Sequence, residues 1–342
     1  MDYEHEKTLE TKKSEKPHHN DNEEVLETTV QHTPTAPPLI RDRYQSERLH
    51  ARGGMGEIWL VKDKQLGRHV ALKRMLGGEH LNQERFLAEA QITGQLEHPG
   101  IVPVHDLGFD EKGQACYVMK FVEGRTLKDA VEEFHDNSPS DTEREVAWRR
   151  ILNCFVDLCD TVAFAHSRGV VHRDIKPDNV MIGPFGETLV LDWGLAKVAG
   201  APEIPGLSAC VALTTSGRST ETLAGSVLGT PSYMPPEMAE GRAAEAGPAS
   251  DVYLLGATLY HILSGKAPRH GRSQMEIVEL ARSVPPVPPH DLNKRVVQPL
   301  EAICLKAMAR REENRYPSAQ DLAEDVRRFL AGEPVSAYRE SF

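Results

Sequence analysis

Apolar and polar positions alternate along the chain from residue 43 to residue 76, with Ile58 and Leu60 in one run and Val70 and Leu72 in the next. That period of two, broken by the glycine-rich turn GGMG and by a second turn near Gly67, predicts three antiparallel strands. The pattern then changes. In NQERFLAEAQITGQL, Phe86, Leu87, Ala90 and Gln91 bracket Glu89 at helical spacing, and HPG closes the helix. ACYVMKFVEG reads as a further strand running into a glycine stop, and EVAWRRILNCFVDLCDTVAFAHSRG as a long amphipathic helix with a glycine at its C-terminal end. Two short apolar runs, GVVH and TLVLD, flank a charged segment, and helices dominate the remainder. Strands first and helices after predict an α+β chain with a β-rich lobe and an α-rich lobe on either side of a cleft. No internal repeat is present.

Composition narrows this picture. At 342 residues and 39% hydrophobic content, the chain has room for one large domain or two small ones. A formal net charge of -11 argues against a nucleic-acid partner, since phosphate backbones would be repelled on average. Residues 1–40 stand apart, with nine acidic against four basic residues, four prolines and few large apolar side chains. Such a segment buries too little to offset its ordering entropy, so a disordered acidic tail is expected there. The five cysteines are scattered and form no C-x-x-C pair, which predicts reduced packing residues. No run of 18 apolar residues occurs, and the opening residues MDYEHEKTLETKK lack the apolar core of a signal peptide. The expectation is a cytoplasmic protein with no membrane segment.

Charged and glycine-rich islands interrupt the apolar pattern at particular places. The glycines of GGMGEI, between two strands, let backbone N–H groups approach an anion, although a plain hairpin reads equally well. Lys73 closes the apolar strand VALK and needs an anion or carboxylate partner, and Glu89 on the following helix is the available one. After GVVH, the segment RDIKPDN must be a loop, since Pro177 removes a donor and biases Lys176 away from helix. Within it Asp174 can accept a proton, Lys176 can screen a phosphoryl group and Asn179 can offer an amide oxygen to a metal. Thirteen residues further on, TLVLD delivers Asp192, a second hard oxygen ligand suited to Mg²⁺. Taken together in this order, these residues answer to a polyphosphate and its metal.

With these motifs in place the chain resembles the eukaryotic-like (Hanks-type) protein kinases, most closely the bacterial serine/threonine kinases of that family. The resemblance spans roughly residues 43 to 332. It rests on ARGGMG, VALK, FLAEA, HRDIKPDN, DWG, GTPSYMPPE, SDVYLLG and NRYPSAQDL. It implies a bilobal protein kinase fold, with an N-lobe over residues 43–122, a C-lobe over 123–334, a short tail over 335–342, and ATP in the cleft.

The resemblance also implies roles. Gly53, Gly54 and Gly56 would cover the phosphates, and Lys73 would hold two of them while pairing with Glu89. Asp174 would orient and deprotonate a substrate hydroxyl, Lys176 would steady the transferring group, and Asn179 and Asp192 would hold magnesium, or manganese in its place. Ile58, Ala71 and Met181 would wall the adenine pocket, with Met119 as gatekeeper and Lys120, Phe121 and Val122 as the hinge. For these apolar residues core packing is an equally good account. Lys176 and Thr230 match the serine/threonine-directed form of the family. Asp251 would tie down the catalytic loop, and Glu237 would pair with Arg315. Ala51 in place of the first loop glycine, Lys120 at the hinge, Trp193 in the metal motif and Pro236 before Glu237 depart from the common pattern without removing a reacting group. Trp193 is expected to pack between the lobes.

The stretch from Asp192 to Glu237 is long and rich in Gly, Ser, Thr and Ala. Arg173 beside the catalytic aspartate implies a phosphorylated partner in that stretch, with Thr222 first and Thr220 and Ser226 next as candidate phosphosites. Phosphorylation in trans would need a transient homodimer. The implied partners are ATP and proteins bearing Ser or Thr hydroxyls. A pseudokinase scaffold lacks at least one of the three reacting residues, all present here, and a small-molecule kinase leaves GTPSYMPPE unexplained.

Overall fold

The computed structural model describes residues 43–53, 56–76, 80–136, 140–198 and 230–338. The expected disordered tail, Gly54 and the candidate phosphosites Thr220, Thr222 and Ser226 lie outside the described residues.

The alternating segment forms β1 (Tyr44–Arg52), β2 (Gly56–Asp63) and β3 (Arg68–Met75), which join β4 (Val104–Phe109) and β5 (Ala115–Lys120) in one antiparallel sheet of order β1-β2-β3-β5-β4. Period-two alternation sends side chains to two faces. On one, Tyr44, Val61, Val70, Cys116 and Val118 form a small core, with Trp59 and Leu72 packed on it. On the other, Met75, Ala115 and Tyr117 pack with Phe86 and Ala90 of helix α1 (His80–Gln95). Strand β4 was not among the expected elements. Asp106 and Gly108 interrupt its apolar run, and most of its side chains are only half-buried, so its period is weak in sequence.

The second half is helical. The long predicted helix is α3 (Asp141–Ser167), and its start is set by a capping box in which Ser140 and Glu143 satisfy each other's backbone N–H groups. A further helix, α2 (Leu127–Asp136), precedes it and buries Leu127, Ala130, Val131 and Phe134 along one stripe. After α3 come four short strands: β7 (Val170–Val171), β8 (Val180–Ile182), β9 (Thr188–Val190) and β10 (Lys197–Val198). Strand β7 pairs with β10, and β8 lies between β9 and the earlier β6 (Arg125–Thr126). The remaining α-helices among the described residues are α4 (Pro236–Ala239), α5 (Pro248–Ser264), α6 (Gln274–Ser283), α7 (Pro289–Leu292), α8 (Gln298–Ala307) and α9 (Ala319–Ala331). Helix α5 is buried along nearly its whole length, so it serves as the axis of the larger core against α3, α8 and α9. The observed architecture is α+β, as the order of patterns predicts. Trp193 sits in this larger core, edging onto His172 with ring centroids 4.6 Å apart.

Glu237 and Arg315 pair as expected, through two hydrogen bonds of 2.7 and 2.8 Å with both side chains buried. The Arg315 guanidinium also donates to the carbonyls of Ala309 and Ala249, both at 2.8 Å, and Ser250 donates to Glu237. Burial alone would push the Glu237 carboxyl up, but the Arg315 bonds outweigh it and hold it below its ordinary range. Replacing Arg315 with Met strands a buried carboxylate and should cost about 3–5 kcal/mol. Arg310→Met breaks an exposed pair with Glu240 and should cost no more than about 1 kcal/mol. Urea unfolding of the two variants beside the parent checks the contrast.

Candidate active site

Strand register places the first half of the site. Lys73 on β3 lies opposite Tyr117 on β5 and Ile58 on β2, while Ala71 lies opposite Met119 and Leu60. The Lys73 amine donates to Glu89 of α1 at 2.6 Å, and the Tyr117 hydroxyl donates to the same carboxylate oxygen at 2.7 Å. Burial alone would lower the Lys73 amine. The neighbouring oxygens of Tyr117, Glu89 and Asp192 outweigh burial and hold it protonated, well above its ordinary value. Tyr117 is the member of this group that motif reading misses. Its signal is cross-strand register with Lys73, which no single segment displays.

Glycines set how closely the turn between β1 and β2 approaches its neighbours. A Cβ on Gly56 would sit 2.6 Å from the Arg74 carbonyl oxygen, so backbone contact demands glycine there. A Cβ on Gly53 would meet nothing within 4 Å, so packing makes no such demand, and the Gly53 amide closes the turn on the Gly56 carbonyl at 2.9 Å. Just before this turn, His50 packs edge-to-face on Phe121 with centroids 5.1 Å apart, tying β1 to the segment after β5. His50 too is absent from the residues expected. Phe121, Val122, Ile58, Met119 and, on β8, Met181 are half-buried, whereas Ala71 is buried.

The charged loop supplies the second half. Asp251, on the first turn of α5, accepts the backbone amides of His172 and Arg173 at 2.8 Å each and meets His166 Nε2 at 2.8 Å. Arg173 adopts a left-handed φ of 68°, which turns the chain so that Asp174 follows into the site. Its guanidinium donates to the Leu195 carbonyl at 2.6 Å. The Asp174 carboxylate then gathers several donors: the Lys176 amine at 2.8 Å, the Asn179 amide at 3.2 Å and the Thr230 backbone N–H at 3.2 Å. Lys176 also donates to the Thr230 hydroxyl at 2.5 Å, so the two residues read from separate motifs meet on one side of Asp174. Burial raises the Asp174 carboxyl above its ordinary value, and the Lys176 charge and hydrogen bond oppose that rise.

Asp192 follows β9 with a left-handed φ of 57°, and its Oδ1 lies 3.6 Å from the Lys73 amine. Burial would raise its carboxyl too, but Lys73, His172 and Lys176 hold it below the ordinary range. That Oδ1 is buried and accepts no hydrogen bond. Asn179 spends its NH₂ on Asp174, which leaves its amide oxygen for another partner. An ionised carboxylate oxygen and a free amide oxygen fit a hard divalent cation. Among the described residues no group of three His, Cys, Asp or Glu side chains could hold a metal alone, so the other ligands would come from water or a bound phosphate. No described helix is long and apolar enough to cross a membrane.

Comparison with known proteins agrees with this geometry. The chain is 35% identical over 308 residues to the serine/threonine-protein kinase PknD of Chlamydia felis, covering 85% of this chain and 31% of that protein. Its identity to PknD of Chlamydia trachomatis serovar D is 36% over 303 residues, or 85% and 32% of the two chains. For PknD of Chlamydia pneumoniae it is 35% over 299 residues, or 86% and 32%. The chain thus spans about a third of the length of these curated relatives. A family described as protein kinase domain matches residues 44–327, from β1 through most of α9. By that match, which takes in the sheet, the charged loop and the helices that hold it, the chain belongs to the protein kinase family.

Proposed function

We propose that the protein is a serine/threonine kinase that transfers the γ-phosphoryl group of ATP to Ser or Thr hydroxyls of protein substrates. The observation that carries this reading is the convergence of Lys176 and Thr230 on Asp174. A substrate hydroxyl entering beside Thr230 meets a carboxylate that can take its proton, with an ammonium group adjacent to the transferring phosphoryl. Lys73, held by Glu89 and Tyr117, fixes the phosphates of the nucleotide, and the turn at Gly53–Gly56 covers them. Asn179 and Asp192 hold the divalent ion, which when bound neutralises charge on the phosphates. Catalysis of this kind comes mainly from positioning and charge neutralisation. The apolar residues Ile58, Ala71, Met119 and Met181 receive the base, with Phe121 and Val122 alongside. Activation by phosphorylation at Thr222, Thr220 or Ser226, within a transient homodimer, belongs to the same proposal.

Incubation with ATP and Mg²⁺ beside an Asp174→Asn variant, followed by mass-spectrometric phosphosite mapping, tests the reading. Phosphate on Ser or Thr is expected in the parent alone, with nucleotide binding retained by both. Equal phosphate in both proteins, or none in either, would count against it.

The site also predicts a pH effect. The base must be ionised to act, so kcat/KM should fall on the acid side, with its midpoint above the ordinary aspartate range because burial raises Asp174. Lys176→Met removes the charge that opposes that rise, and the midpoint should move further up. A midpoint that stays put or moves down in this variant would remove Asp174 as the titrating base.

Tyr117→Phe deletes one hydrogen bond to Glu89 and leaves Lys73 in place. The expected loss is about 0.5–1.5 kcal/mol, or about two- to tenfold in kcat/KM for ATP. Steady-state kinetics at varied ATP measures it.

A further inference from the structure

Away from the cleft, the ends of several helices and the loop between α7 and α8 line a half-open cavity of about 410 Å³. One wall is aromatic. Phe134 of α2 and Trp148 of α3 stack with centroids 5.3 Å apart, and Phe329 of α9 lines the same space. Three arginines line it, of which Arg149 is paired with Glu145. Arg144 of α3 lies with its guanidinium 4.4 Å from the Phe134 centroid, and Arg295 enters from the α7–α8 loop. Burial lowers the proton affinity of Arg144, and the charge of Arg295 lowers it further.

The carboxylates at this cavity do not resolve that conflict. Glu145 is bound by Arg149 at 2.7 Å. Asp141 acts on Arg144 only through space. Among the described residues neither Arg144 nor Arg295 makes an ion pair. Arg144 is half-buried and Arg295 exposed, so their like charges repel at this open pocket, and an anion shared between them would relieve that repulsion. The volume lies within the range of about 300–1,000 Å³ common to small-molecule sites, which pair apolar walls with a few placed polar groups.

We propose that this cavity binds a small organic anion, its acidic group held between Arg144 and Arg295 and its apolar body against Phe134, Trp148 and Phe329. The inference is independent of phosphoryl transfer. The cavity also touches Leu263 near the end of α5, the helix whose first turn carries Asp251, so an occupant would brace the helix on which the charged loop is hung.

The test uses the full chain and two dyes of like shape: anilinonaphthalene sulfonate, which carries the anion, and uncharged N-phenylnaphthylamine. Fluorescence titration should show saturable one-to-one binding of the sulfonate. Its affinity should fall about tenfold or more in the Arg144→Gln/Arg295→Gln double variant. Arg150→Gln, on the same helix but lining a different cavity, should change it less than about twofold. The neutral dye should bind more weakly and respond to none of these changes. In the parent protein, about 0.5 M NaCl should weaken the sulfonate alone. The proposal is overturned if the sulfonate shows no saturable binding, if the double variant binds it as tightly as the parent, or if the neutral dye binds equally well. Should the double variant not fold, a sulfonate affinity indifferent to salt overturns it instead.

Discussion

The Asp251 carboxylate is the contact on which the charged loop depends. Its two oxygens take the amides of His172 and Arg173, and it is fully buried on a helix that is itself buried on nearly all sides. A left-handed φ at a non-glycine residue costs about 1–2 kcal/mol, and Arg173 carries that cost. Two charge-assisted hydrogen bonds, at about 1.5–3 kcal/mol each, exceed it. The strained conformation therefore persists, and Asp174 emerges from it already aimed at Lys176, Asn179 and Thr230. Without the carboxylate the amides would be buried and unpaired, and nothing would repay the turn.

The cleft then separates its charges by environment. Glu89 is almost fully buried, yet it faces both an ammonium and a phenol, so its charge is answered at two points. Asp192 is ionised more readily than an ordinary aspartate and Asp174 less readily, although both are carboxyls beside cations. The difference follows from what surrounds them. Asp192 feels Lys73, His172 and Lys176, whereas Asp174 feels Lys176 and His172 but also the negative charge of Asp192. Two identical side chains thus differ in their readiness to ionise through their surroundings alone.

Much of this was legible in the sequence because the charged residues that meet in the cleft sit in short segments whose order is itself the signal. Lys73, Asp174, Lys176, Asn179 and Asp192 could be named from motifs, and the Glu89, Asp251 and Glu237 pairings follow from the same resemblance. What stayed hidden is what depends on register between distant segments. Among the described residues Tyr117 is one of two strand tyrosines, with Tyr44, until β5 pairs with β3 and sets it opposite Lys73. His50 shows its role only when β1 brings it against Phe121. Strand β4 is masked by Asp106 and Gly108. Asp106 has a structural use there, since it accepts the Tyr44 hydroxyl from the far edge of the sheet at 3.2 Å. Helix α2 is also absent from the elements expected, although its apolar stripe at residues 127, 130, 131 and 134 has helical spacing.

The two halves of the site rest on separate supports that meet at one place. Lys73, Glu89 and Tyr117 belong to the sheet and α1, while Asp174, Lys176 and Asn179 belong to the loop fastened to α5. Between them the Lys73 amine reaches Asp192 at 3.6 Å, a full ångström longer than its 2.6 Å bond to Glu89. The Asp192 side chain is also far more exposed than that of Glu89, at 40% against 2%. Coulomb attraction falls with distance and with the dielectric of the surroundings, so this junction is weaker than either support. A movement that widens the cleft would part Lys73 from Asp192 before it disturbed Lys73–Glu89 or Asp251 and its two amides.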